Sequence, residues 1–158
     1  MIPVKIHSLG LDQTSNQPVI LLREEEGLRV LPIWIGHPEA TAILIAMEGV
    51  EPPRPMTHDL LLGTMGATGF VLERVEITRL EEGTFFAALV LRGEERTIAV
   101  DARPSDSIAL AVRAGCPILV AEEVMNASAV VPDEEAEEEV ERFRDFLDSV
   151  DPEDFGQS

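Results

Sequence analysis

Residues 97–113 read T-I-A-V-D-A-R-P-S-D-S-I-A-L-A-V-R, and they limit the fold more than any other stretch. A short apolar strand with Ile98 and Val100 runs into a polar elbow, residues 101–107, and an almost wholly apolar helix follows from Ile108. Proline at a first helical turn, with Ser and Asp beside it, is helix-start chemistry. The elbow therefore gathers Asp101, Asp106, Arg103, Ser105 and Ser107 at one helix N-terminus. Free N–H groups and the positive dipole end suit an anion or phosphate there. The same residue types also act as plain caps of a buried helix, and that use is the commoner one.

The rest of the chain alternates between strand patterns and helix starts. Ile2, Val4 and Ile6 alternate with polar neighbours; residues 19–22 and 28–35 read as strands joined through Glu24 to Gly27. A helix is expected from Pro38, with Glu39 in its first turn, burying Ile43 and Met47 and stopping at Gly49. Pro52, Pro53 and Pro55 impose a loop, after which Thr57 is expected to cap a helix running through Leu60, Leu61 and Met65. Residues 70–80 and 84–91 read as strands. The second is apolar on both faces, which predicts a central strand covered on both sides. A last short strand covers residues 117–121. This order predicts an α+β fold with a mixed, largely antiparallel sheet, inserted helices and a C-terminal amphipathic helix. That helix, residues 133–150, places Ala136, Val140, Phe143, Leu147 and Val150 at helical spacing. The expected division is a domain over residues 1–130 and an acidic helix and tail over 131–158.

Charge restricts function. The chain carries −18, and residues 133–158 alone hold twelve acidic and two basic residues. Nucleic-acid affinity comes largely from Lys and Arg on phosphate, so a tight non-specific DNA binder is not expected. The single cysteine, Cys116, rules out an intrachain disulfide and a cysteine-rich zinc site. No apolar run is long enough to span a bilayer and no signal peptide is visible at the start, so a cytoplasmic location without membrane contact is expected.

The run D-A-R-P-S-D-S-I-A-L-A-V-R followed by G-C-P-I-L-V resembles the signature of the bifunctional nuclease domain family. Two earlier segments resemble the same family in the same order: L-P-I-W-I-G with Glu39, and Arg54-Pro55 followed by T-H-D-L at residues 57–60. The resemblance spans roughly residues 2–130 and implies cleavage of RNA and DNA. Under that expectation Asp101, Asp106 and Asp59 hold a divalent metal, Mg²⁺ or Mn²⁺, suited to oxygen donors. Arg103 and Arg54 contact phosphate, with Ser105, Ser107 and Arg113 as further substrate contacts. His58 or Glu39 activates water, since imidazole titrates near neutral pH. Nucleic acid is then a substrate held without high affinity, in a chain expected to form a homo-oligomer. The alternative is a non-catalytic oligomeric binding or scaffold module. In it the elbow is structural or holds a small anion, and the acidic helix at 133–150 recruits a protein partner.

Overall fold

The computed structural model describes residues 1–132 and, beyond them, Glu141, Arg142 and Asp145. In chain order the described elements are β1 (Ile2–Leu11), β2 (Pro18–Glu24), β3 (Val30–Trp34), α1 (His37–Met47), α2 (Thr57–Ala67), β4 (Val71–Glu81), β5 (Thr84–Arg92), β6 (Thr97–Ala102), α3 (Pro104–Ala114), β7 (Ile118–Val120) and α4 (Glu122–Ser128). The strands form one sheet in the order β3-β2-β1-β7-β4-β5-β6. Neighbours are antiparallel except β4 and β7, which run parallel. The fold is α+β with a mixed, mostly antiparallel sheet, as the strand and helix patterns predict.

Alternation decides which side of the sheet is covered. Ile20 and Leu22 of β2, Leu31 and Ile33 of β3, Val75 and Ile77 of β4, and Ala87, Leu89 and Leu91 of β5 all enter one apolar core. In β1 the register shifts between Ile6 and Ser8, and the extra residue lets Val4 and Leu9 reach the same side. Helices α1 to α4 put Ile43, Leu44, Met65, Ile108, Leu110, Val124 and Met125 into that same core. All four helices therefore lie on one face of the sheet.

This arrangement corrects the reading of residues 84–91 as a central strand between two layers. β5 lies next to the edge strand β6, and no helix of the described residues covers its second face. Apolar residues on that face are shielded by side chains of the neighbouring strand. Arg79 lies over the ring of Phe86, with its guanidinium carbon 4.0 Å from the ring centroid. Val90 is paired in register with Arg74. Long side chains with apolar stems thus do what a second layer would otherwise do.

Helix α3 starts at Pro104, inside the elbow and four residues before the Ile108 start read from the sequence, with proline in its first turn as expected. Arg103 is its extended N-cap residue, Pro104 opens the first turn, and Gly115 closes it at φ 69° with its N–H on the Ala111 carbonyl. That left-handed conformation is open to glycine at little cost. Asp106 in the first turn and Arg113 in the last both interact favourably with the helix dipole. One expectation about helix faces fails: Met47 is exposed where it was expected to be buried. In α2, Leu60 and Leu61 are 62% and 42% exposed. α2 covers the core with Met65, which is buried, and Leu62, which is partly buried against it. Beyond α4, Val130 makes an antiparallel bridge to Val30, extending the edge of β3. The helix expected over residues 133–150 lies outside the described residues apart from Glu141, Arg142 and Asp145. Among the described residues no helix is long and apolar enough to cross a membrane.

Leu110 is fully buried at the centre of α3. Leu110→Ala is expected to lower unfolding stability by about 2–5 kcal/mol. Leu60→Ala, on an exposed face, should change it by no more than about 0.5 kcal/mol. Urea denaturation of the two variants beside wild type checks both.

Candidate functional site

The first turns of α1, α2 and α3 meet. α1 and α3 both carry proline in their first turn after extended residues, Gly36 and Arg103, and neither start is closed by a capping side chain. α2 begins after the proline-rich loop, with Met56 as its N-cap residue and Thr57 as the first helical residue. The expected Thr57 cap is therefore displaced by one position, and the function passes to Asp59. Its Oδ2 accepts a hydrogen bond from the Met56 N–H at 3.0 Å. Three helix starts thus direct their partial positive ends toward one place in a chain of −18.

Asp106 is the hub of the contacts there. Its Oδ1 lies 2.9 Å from His58 Nε2 and its Oδ2 accepts from Arg103 Nε at 2.9 Å. Arg103 continues through Nη1 to Glu39 Oε1 at 3.0 Å. Glu39 turns back over the helix start, where a Cβ on residue 36 would collide with its Oε2. Glycine at 36 therefore leaves room for the carboxylate. Burial by itself raises the Asp106 carboxyl, but the hydrogen bonds and charges of Arg103 and His58 outweigh it and hold the group below the usual aspartate range. Ionised Asp106 is acceptor-only, so the proton in the contact belongs to His58 Nε2 and the lone pair of neutral imidazole sits on Nδ1. Asp106 and then Glu39 raise the Arg103 guanidinium above its ordinary value.

These groups line a cavity of about 320 Å³, together with Pro38, Thr41, Met56 and Arg113. Thr41 and Met56 were not singled out in the sequence. Thr41 is two residues from Glu39 and four from Ile45, which also lines the cavity, so a helical-wheel reading of α1 carries part of that signal. Of the expected residues, the structure brings together Glu39, His58, Arg103, Asp106 and Arg113. Arg54 lines an adjoining cavity.

Four expected roles are corrected. Asp101 is in register with Ala88 on the strand face opposite to Ile98 and Ala102, which pack on the core, so it points away from the helices. Ser107 is fully buried, and its hydroxyl donates to the Arg103 carbonyl at 2.9 Å. Ser105 is 6% exposed and lines neither cavity, so both serines belong to the helix packing and not to a substrate surface. Asp59 has both oxygens engaged, by the Met56 N–H and by Arg113 Nε at 2.9 Å. The Met56 N–H and then Arg113, against opposing burial, hold its carboxyl below the usual range. Arg113 in turn donates Nη1 to the Ala109 carbonyl. It tethers α2 to α3, although its side chain also reaches both cavities.

A metal triad of Asp101, Asp106 and Asp59 does not fit this donor set. Asp101 faces the wrong side, and the other two carboxylates are committed to arginine, histidine or backbone. Among the described residues no three His, Cys, Asp or Glu groups are disposed to hold a metal ion.

Asp59 and Asp106 have depressed folded values, so below the ordinary aspartate value of about 3.9 the unfolded chain binds more protons. Their contribution to stability is present above that value and is lost as pH falls through the folded values. Denaturant unfolding between pH 7 and pH 3 should show this loss, and Asp106→Asn should show a smaller one.

The family described as Bifunctional nuclease domain matches residues 20–133, most of the chain and all three helix starts. An uncharacterized protein of Mycobacterium tuberculosis is 50% identical over 161 residues, covering 96% of each chain. Bifunctional nuclease 1 of Arabidopsis thaliana is 30% identical over 114 residues, 70% of this chain and 35% of that protein. Bifunctional nuclease 1 of Oryza sativa subsp. japonica is 28% identical over 112 residues, 69% of this chain and 34% of that protein. The chain thus spans about a third of the plant relatives' length. With a match over most of its length, the chain belongs to the bifunctional nuclease domain family.

Proposed function

We propose that the chain is a nuclease that hydrolyses phosphodiester bonds of RNA and, second, of single-stranded DNA. The observation that carries this is the His58–Asp106 contact, set beside Arg103 in a cavity at three helix starts. The family and the plant nuclease relatives support the reaction class.

The chain's own groups divide the work. Arg103 Nη2 makes no hydrogen bond among the described residues, and the Arg103 side chain is 63% exposed, so it can take a non-bridging phosphate oxygen. Phosphate there competes with Glu39 for the guanidinium, so Glu39 sets how readily Arg103 is given up to substrate. His58 Nδ1 accepts the proton of the attacking water, and Asp106 steadies the resulting imidazolium. Water's oxygen bonds to phosphorus, the ester oxygen leaves, and the imidazolium returns its proton to that oxygen. Arg103 and the helix starts carry the charge that grows on the phosphoryl oxygens. No step is assigned to Mg²⁺ or Mn²⁺.

A cytoplasmic location and a homo-oligomer belong to the same proposal as expectations from the sequence, and a protein partner for residues 133–150 belongs to the binding-module alternative. The competing function is a binding module. It is favoured by the same ion pairs, because Arg103 joins Glu39 of α1 to Asp106 of α3 and so ties two helices whether or not chemistry follows.

The test is cleavage of labelled RNA and single-stranded DNA with Mg²⁺, with Mn²⁺ and with EDTA. His58→Ala and Arg103→Ala should each lower kcat/KM by about 10²-fold or more, the usual scale for a general base or an oxyanion contact. Circular dichroism verifies that the variants are folded. Activity should survive EDTA; its loss in EDTA would restore a metal to the mechanism. Equal weak cleavage by wild type and both variants sinks the nuclease and leaves the binding module.

A further inference from the structure

Beside the His58 cavity lies a larger one, of about 690 Å³, and both are lined by Ile45 and Arg113. Its size is within the range of small-ligand sites, about 300–1,000 Å³. The floor is apolar, from Ile45, Leu62 and Val112, and the wall is the proline-rich loop that carries Arg54.

Arg54 differs from most arginines of this chain. Arg29, Arg74, Arg79, Arg92, Arg103 and Arg113 each meet a carboxylate. Among the described residues Arg54 makes no ion pair, although the chain has thirty acidic residues against twelve basic ones. Its neighbours Pro53 and Pro55 restrict the backbone on both sides, since a residue before proline is held in extended conformations. An exposed guanidinium on a stiff loop, over a cavity with an apolar floor, is suited to a ligand with one anionic and one flat apolar part. Two carboxylates also line the cavity. Asp59 is already engaged by Arg113 and the Met56 N–H, and Glu51 is exposed.

We propose that this cavity is a second nucleotide subsite, in which Arg54 takes the phosphate next to the scissile one and the apolar floor receives the adjoining sugar or base. The assignment rests on the nuclease reading for its ligand class and adds the subsite, its anchor and a strand preference. A base can enter such a cavity only when it is unstacked, so the subsite selects single strands over duplex. Binding stays modest, because one guanidinium is offered where strong binders offer many cations.

Two probes separate the subsites: thymidine monophosphate, which fills one, and a single-stranded thymidine trinucleotide, which fills both. Arginine Nε–Hε resonances of ¹⁵N-labelled protein are followed during each titration. The Arg54 resonance should move with the trinucleotide, and Arg54→Ala should weaken trinucleotide binding about tenfold, the scale of a charge-assisted hydrogen bond. Affinity for the monophosphate should change less than about twofold. No trinucleotide binding by wild type, no effect of Arg54→Ala, or an equal loss for both probes overturns the subsite. Trinucleotide binding through Arg54 without turnover would refute the nuclease and keep the subsite. Turnover with an unchanged KM in Arg54→Ala would keep the nuclease and refute the subsite.

Discussion

The Asp106 carboxylate is the point on which the site depends. It sits in the first turn of α3, where the dipole favours a negative charge, and it is shared by a histidine of α2 and an arginine that reaches α1. Without it, His58 loses the acceptor that fixes its ring, and Arg103 keeps only Glu39. Three helices are therefore brought into one geometry by a single carboxylate with two partners. Burial works against its charge, and the partners reverse that effect.

The chain's acidity and its family meet at the helix starts. Residues 133–158 hold twelve acidic and two basic residues, later in the sequence than the segments that build those starts. Within the cavity, Arg103 is paired with the carboxylates of both Glu39 and Asp106, and His58 adds a hydrogen-bond contact to Asp106. Partial charges of backbone N–H groups then add to the field without adding any lysine or arginine. A locally anion-tolerant site inside an acidic protein is an outcome of helix placement, and composition does not reveal it.

Much of this was legible in the chain. The elbow at residues 101–107, the three polar helix starts and the α+β order followed from proline placement and alternation, which are local. Asp101 was misplaced although its signal was local too. Ile98, Val100 and Ala102 alternate against Thr97, Ala99 and Asp101, and an apolar set on one side sends Asp101 to the other. The burial of Ser105 and Ser107, and the exposure of Leu60 and Leu61, depend on how α2 and α3 cross the sheet. Such crossings are set by packing partners far apart in sequence, which no local pattern contains.

The strand β7 has a consequence for how the protein comes to be made. It is three residues long, yet it alone joins β1 to β4, and its registers pair Val4 with Ile118 and Val75 with Ile118. On one side of this seam are β1 to β3 with α1, and on the other are β4 to β6. The Arg103–Glu39 contact spans the same seam. A chain emerging from the ribosome can pair its hairpins early, since those contacts are close in sequence. The cavity closes only after residue 120 has left the tunnel. The cavity is therefore a late product of folding, assembled from two halves that form separately before the seam joins them.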